Sequence, residues 1–127
     1  MRLKFNGGDI EDEFNIVRFY LNDRRSHSSI GYQFVVEWVN EEGKASPFSC
    51  HRPPAADKML IVLMRRRFPN DDSFFRSKIQ SDQIIITIRA EKVRSIRGAI
   101  SKMYKLLKGA TSGFRVEYAK DFPVKRN

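Results

Sequence analysis

Several short stretches of the chain alternate apolar and polar residues, which is the pattern of a strand with one buried face. The alternation is clearest in 32–39, where one face carries Tyr32, Phe34, Val36 and Trp38. Similar patterns predict strands over 14–21 and 73–80, and a short terminal strand or packed tail over 114–120. Weaker ones predict an edge strand over 2–5 and a strand over 45–52, which a turn at 40–44 joins to 32–39, with Gly43 available for a positive φ.

The most strongly patterned stretch runs from Asp82 to Gly109. It opens with four isoleucines, which predict a strand covered on both faces or nearly so: Ile84, Ile85, Ile86 and Ile88. The period then changes to spacings of three and four, which place the following residues on one helical face: Val93, Ile96, Ile100, Met103, Leu107 and Ala110. This predicts a basic amphipathic helix from about Glu91 to Gly109, with Gly109 as its stop.

The middle of the chain, residues 55–68, contains six consecutive apolar residues, Met59–Met64. Periodicity alone cannot separate a buried strand from a buried helix in such a run. Two flanking features favour a helix: Pro54 suits a first helical position, and Arg65–Arg67 suit a helix C-terminus.

Together these elements predict an α+β fold, an antiparallel sheet with two helices packed on one face and an N-terminal β-hairpin extension. The chain of 127 residues divides into a β extension (1–44), an α+β core (45–110) and a C-terminal strand or tail (111–127). Gly98 lies in the middle of the predicted second helix. It either has no particular role or allows another segment to pass close to the helix.

The chain is strongly basic, with a formal net charge of +9 and a sequence pI of about 10. Such a charge favours polyanions, and nucleic acid is the first candidate. Acidic residues concentrate in 9–13, so one side of the molecule is expected to be basic. The candidate phosphate-binding residues are Arg24, Arg25, Arg65, Arg66, Arg67, Arg94, Arg97, Lys102 and Lys105. Aromatic stacking on bases would need exposed rings, for which the candidates are Phe34, Trp38, Phe74 and Phe75.

Other kinds of chemistry have little support in the residues. Cys50, His51 and His27 lack the number and spacing of zinc ligands. There is no Gly-rich phosphate loop, and the expectation is a non-enzyme without cofactor or metal. No apolar run is long enough to span a membrane, no secretory signal is seen, and the single cysteine fits a reducing compartment.

Part of the chain resembles the small dimerisation subunit of the KEOPS tRNA-modifying complex, the CTAG/Pcc family. The order strand, Pro, helix, hairpin, helix over 45–110 is similar, with 48–52 and 55–64 standing for the family's first strand and first helix. The best-matching residues are Arg76-Ser77-Lys78-Ile79, the run 84–88, Ala90, Ile96-Arg97-Gly98, Ile100-Ser101, Tyr104 and Lys108-Gly109-Ala110. Residues 1–44 and the long tail depart from the family pattern.

The resemblance implies a non-catalytic subunit that forms homodimers by pairing sheets. Its helices would pack against the catalytic, carbamoyl-transferring subunit of a complex that makes N6-threonylcarbamoyladenosine in tRNA, and it would help hold the tRNA. The expected location is cytoplasmic, or nuclear in a eukaryote. The candidate partner-binding residues are Leu60, Met64, Ile96, Ile100, Met103, Tyr104 and Leu107, of which Met103 and Tyr104 are the strongest.

Two alternatives stay open. The chain could be an autonomous RNA-binding protein, such as a small subunit of a ribonuclease P-type or other ribonucleoprotein particle, in which case the arginines should converge on one surface. The apolar helix residues could also be ordinary core, which is the commoner role of such a stripe.

Overall fold

Five strands and two α-helices follow one another along the described part of the chain. The computed structural model describes residues 15–22, 30–44, 56–80, 83–111 and 114–120, apart from the side chains at 56–59, 77–80 and 83. In chain order the elements are β1 (Ile16–Leu21), β2 (Gly31–Val39), α1 (Ala56–Arg67), β3 (Phe74–Gln80), β4 (Gln83–Arg89), a 3-10 turn (Ala90–Lys92), α2 (Ile96–Ala110) and β5 (Arg115–Tyr118).

The strands form one sheet in the order β3-β4-β2-β1-β5. Neighbouring strands are antiparallel except for β1 and β5, which are parallel. Because β2 lies between β1 and β4, the strands contributed by residues 1–44 are continuous with those that follow. The predicted α+β class, with its N-terminal β1–β2 hairpin, is confirmed, although one pair of strands is parallel.

The main core lies between one face of the sheet and the two helices. Alternate residues of the strands point into it, including Phe19 of β1, Phe34 of β2 and Ile86 of β4, all fully buried. The helices cover this core with Leu60 and Met64 of α1 and with the buried side of α2. Both helices therefore pack on the same face, as the sequence predicts.

The opposite face of the sheet is buried as well. Tyr20, Val35 and Ile85, from three adjacent strands, form a second apolar cluster and are at most 4% exposed. Consecutive isoleucines of β4 point to opposite faces, and all four are at most 1% exposed. The prediction of a strand covered on both faces is confirmed.

The ambiguous segment after Pro54 is a helix, as favoured: α1 begins at Ala56 and ends at Arg67, with three arginines in its last turn. The turn at 40–44 is also as predicted, because Gly43 has a φ of 82° and Asn40 Oδ1 accepts hydrogen bonds from the backbone N–H groups of Glu42 and Lys44.

The predicted start of the second helix, near Glu91, is wrong. Residues Ala90–Lys92 form a 3-10 turn, and α2 begins at Ile96 after Ser95, whose hydroxyl oxygen accepts a hydrogen bond from the Gly98 N–H at 3.1 Å. A serine cap satisfies one of the backbone donors that the first helical turn leaves unpaired. Here the cap determines the boundary, so the apolar spacing through Val93 does not extend the helix.

The predicted role of Gly109 is also wrong, because α2 continues through it to Ala110. A methyl group at Gly109 would lie about 2.5 Å from the Phe68 ring, so this glycine lets the end of α1 pack against α2. Gly98, where a close approach was considered, has room for a side chain at ordinary contact distance.

Some predictions lie outside the described residues, namely the strand over 2–5, the strand over 45–52 and the first residue of the strand over 14–21. The division of the chain at residues 44 and 110 stays a prediction. Within the described ranges, neither α1 nor α2 has the length and apolar character that crossing a membrane requires.

Candidate partner and nucleic-acid interfaces

The two helices form a layer whose outer surface carries most of the candidate residues. On α2 the buried side consists of Ala99, Met103, Leu106, Leu107 and Ala110. Three apolar residues follow one flank of this side at spacings of four: Ile96, Ile100 and Tyr104. Ile96 is 44% exposed, Tyr104 is 42% exposed and Ile100 is half-buried. We call these three residues the α2 flank.

The structure separates the seven predicted partner residues into two groups. Four of them are at most 1% exposed and belong to the core, so a partner cannot reach them: Leu60, Met64, Met103 and Leu107. Their assignment to a partner surface is therefore corrected. The predicted stripe also missed Ala99 and Leu106, because the side of α2 that faces the sheet is rotated from the side that spacing alone suggested. The residues of the α2 flank stay accessible.

The end of α1 presents Arg65, Arg66 and Arg67, all exposed. Two of these guanidinium groups lie over aromatic rings, Arg65 at 5.2 Å from the Phe74 ring centre and Arg67 at 5.6 Å from that of Phe68. Such contacts orient the cations without neutralising them. The three arginines form no ion pair with any residue in the described ranges.

The cations of α2 differ in their surroundings. Arg97 and Lys105 are exposed, as is Arg94 just before the helix, and none of the three pairs with a described acid. Lys102 is different, because its Nζ lies 2.9 Å from Asp71 Oδ2. Arg24 and Arg25 lie outside the described residues.

Asp71 is held in its charged form by this arrangement. Partial burial favours the neutral acid, but hydrogen bonds from Ser73 and from Lys102 outweigh burial and lower the pKa of Asp71 below its ordinary value. A second pair, Lys92 with Asp72 at 3.2 Å, lies beside it. Arg67 and Lys102 line the same shallow depression as these two pairs, so the end of α1 and the side of α2 form one continuous surface.

The charged residues Arg18 of β1 and Arg115 of β5 pair with acids of the sheet or of the adjoining turn. Arg18 of β1 donates to Glu37 Oε1 at 2.8 Å and to the Gly43 carbonyl oxygen, and Tyr20 donates to Glu37 Oε2 at 2.6 Å. Burial, the hydrogen bond to Glu37 and the charge of Glu37 together raise the pKa of Tyr20. At the β5 edge, Arg115 lies near both Glu41 and Glu117.

The aromatic residues considered for base stacking are not available for it. Phe34, Trp38 and Phe74 are at most 2% exposed. Phe75 is half-buried, and Arg89 lies over its ring at 4.6 Å. These rings pack in the core or on the sheet surface. The hydrophobic effect therefore explains the aromatic residues at these positions, and base stacking does not.

Local sequence signals could have found some of what was missed. Ser95 directly before an apolar-periodic segment is a helix-start signal. The pairing of Lys102 with Asp71 spans 31 residues, and no local pattern predicts it.

Comparison of the chain with protein-family models, with curated proteins and with solved structures finds no match. The family resemblance therefore remains a proposal. Among the described residues no group of three His, Cys, Asp or Glu side chains is placed to hold a metal ion, and His27, Cys50 and His51 lie outside those residues.

Proposed function

We propose that this chain is a non-catalytic dimerisation or scaffold subunit of a KEOPS-like complex that makes N6-threonylcarbamoyladenosine in tRNA. The observation that carries the proposal is the α2 flank, whose two end residues, Ile96 and Tyr104, are each more than 40% exposed although they are apolar or aromatic. Exposed apolar residues in a row on one helix are typical of a protein–protein contact. In the family that the sequence resembles, the helices contact the catalytic subunit.

The order of the elements supports the same proposal. The helix α1, the β3–β4 hairpin and the helix α2 follow one another as helix, hairpin and helix. The resemblance rests on that order. The family's first strand would correspond to residues 48–52 of this chain, which lie outside the described residues.

Dimerisation by sheet pairing would use an edge strand. Within the described sheet the edges are β3, of seven residues, and β5, of four. Both edges carry two charged residues, Arg115 and Glu117 on β5 and Arg76 and Lys78 on β3, so charge does not distinguish them. We assign the dimer contact to β3 because it is the longer edge, and its register shift against β4 between Arg76 and Lys78 limits the pairing to short segments. Sedimentation equilibrium of the purified chain tests whether it forms a dimer, and a monomer at all concentrations would contradict dimerisation.

In this proposal the chain itself catalyses no reaction. Its location is cytoplasmic, or nuclear in a eukaryote. The proposal also includes a basic surface that helps hold tRNA, for which the exposed cations of the helix layer are the support.

The test is co-purification of the tagged chain from its native cells at low and at high salt, with mass spectrometry of the bound proteins. We expect a carbamoyl-transferring subunit that stays bound at high salt and is lost from Ile96→Ser/Tyr104→Ser. The matched control is Val62→Ser, because Val62 is 43% exposed but lies on α1. Retention by the double variant, or equal loss from the control, would refute the assignment to the α2 flank.

The second candidate is an autonomous RNA-binding protein of a ribonucleoprotein particle. It is favoured by the concentration of cations in the helix layer, with four in each of α1 and α2 against the single acid Asp57. In the same experiment this candidate predicts that RNA and RNA-associated proteins co-purify with the chain and that high salt removes them.

A further inference from the structure

We propose that Arg65, Arg66, Arg67 and Lys105 form a surface that binds the phosphate backbone of double-helical RNA without reading its sequence. We call these four residues the helix-end basic surface. The inference rests on the RNA-holding part of the proposed function and specifies which cations act and on which form of RNA.

The first step is that these cations are not neutralised. All four are exposed, and none forms an ion pair with a described residue. Arginine stays charged at every physiological pH. The neighbouring cations Lys102 and Lys92 are instead paired with Asp71 and Asp72. Asp71 and Asp72 therefore mark the limit of this surface, because a phosphate close to them would lie near carboxylates as well as cations.

The second step is that Arg67 and Lys105 share one patch, with Arg65 and Arg66 in the same last turn of α1. Arg67 packs beside Gly109, because a methyl group at Gly109 would lie 3.3 Å from Arg67 Cγ. Lys105 precedes Gly109 by four residues, or about one helical turn, and so lies on the same side of α2. The arginines occupy the last turn of α1 directly before Phe68.

The third step is that part of this patch is oriented in advance. Arg65 is held over Phe74 and Arg67 over Phe68. Phe74 is itself fully buried, which makes it a rigid support. Side chains that are already oriented lose less conformational freedom on binding.

The fourth step identifies the form of the RNA. Proteins that recognise single strands stack several bases on exposed aromatic rings. Among the described residues only Tyr104 is an exposed aromatic, and it lies on the α2 flank. The helix-end basic surface offers cations alone, and these can bind the regular rows of phosphates that a duplex presents.

The experiment measures binding of the full chain to a fluorescein-labelled RNA hairpin with a stem of about 16 base pairs, and to an unstructured RNA of equal length. Fluorescence anisotropy is recorded between about 50 and 200 mM KCl, because the slope of log affinity against log salt reports the number of phosphate contacts. We expect tighter binding of the hairpin and no dependence on its stem sequence.

Two variants remove cations from the helix-end basic surface, and a third variant serves as the control. Arg65→Gln/Arg66→Gln/Arg67→Gln should weaken hairpin binding at least about tenfold and lower the salt slope by about 3. Arg66→Gln/Lys105→Gln leaves both ring contacts intact and should lower the slope by about 2. Arg115→Gln removes the same charge per site from an ion-paired arginine at the β5 edge and should leave the slope unchanged.

Four results would overturn the proposal. They are an unchanged slope in Arg66→Gln/Lys105→Gln, an equal loss in Arg115→Gln, equal affinity for the unstructured RNA, and a dependence on stem sequence. Ile96→Ser/Tyr104→Ser separates this proposal from the partner contact, since it should keep hairpin binding while losing the protein partner. If the arginine variants instead keep the partner and the hairpin, only the RNA surface is refuted.

Discussion

Arg18 in the sheet and Arg66 at the end of α1 carry the same charge in opposite settings. Arg18 is 11% exposed and lies 2.8 Å from Glu37, within a cluster that includes Tyr20. Arg66 is exposed and forms no ion pair with a described residue. The net charge of +9 is therefore not spread evenly: Arg18 and Arg115 of the sheet pair with acids, whereas most described cations of the helix layer form no ion pair with a described residue and can act on solvent or a partner.

The largest expected effect tests whether α2 has one side that belongs to the core and another that is accessible to solvent. Met103→Asp should destabilise the fold by more than about 3 kcal/mol, because it places a carboxylate at a position with no exposure. The neighbouring Tyr104→Asp should cost less than about 1 kcal/mol, since Tyr104 is 42% exposed. Urea unfolding followed by circular dichroism measures both, and equal losses would contradict this division of α2.

The next effect tests the compensated charges of the sheet. Glu37→Gln should destabilise the fold by about 2 kcal/mol, because it removes the negative charge that lies beside the mostly buried Arg18 and weakens the acceptor of Tyr20. The control is Glu117→Gln, whose partner Arg115 is 56% exposed and whose loss should cost less than about 0.5 kcal/mol. Similar free energies of unfolding for the two variants would show that the Glu37 cluster is not structural.

A smaller effect concerns Asp71, the acid that borders the basic surface. Its pKa is lowered from 3.8 in the folded state, so the stabilisation is complete above that value and is lost as the pH falls through the lower, folded-state pKa. Asp71→Asn should therefore reduce stability at pH 6 and flatten the fall in stability towards pH 3. Thermal unfolding across this pH range measures the difference, and parallel curves for the two proteins would refute the role of Asp71.

The smallest expected effect is on the stability of the helix-end basic surface. Arg66→Gln/Lys105→Gln should change the free energy of unfolding by no more than about 0.5 kcal/mol, because both side chains are exposed and unpaired in the described part of the chain. Denaturant unfolding of this variant thus serves as a folding control for the RNA measurement. A loss similar to that of Glu37→Gln would mean that the helix-layer cations are structural after all.

Much of the fold could be predicted from the sequence because its signals are local. Alternation over 32–39 and the isoleucine run of β4 depend only on neighbouring residues. The turn with Gly43 and the arginine-terminated helix α1 follow from residue chemistry in the same way. Apolar spacing alone places the start of α2 too early, because the Ser95 cap and not the spacing determines this boundary.

The candidate sites were predicted less well. Four of the partner residues belong to the core, and Lys102 is neutralised by an acid 31 residues away. Spacing identifies the apolar side of a helix but not how far each residue along that side is covered. That depends on where the helix lies over the sheet, as the fully buried Met103 and the 44% exposed Ile96 show on the same helix.

By itself the sequence determined the class of the fold, the types of its main elements and the excess of positive charge, because periodicity and composition are properties of the chain alone. Only the tertiary structure decided which apolar residues of α2 are accessible and which cations are paired. It brought Phe68 against Gly109, and with it the end of α1 beside α2, so that Arg67 and Lys105 share a surface. Burial and ion pairing depend on distances through space, and these are set only when the helices pack on the sheet.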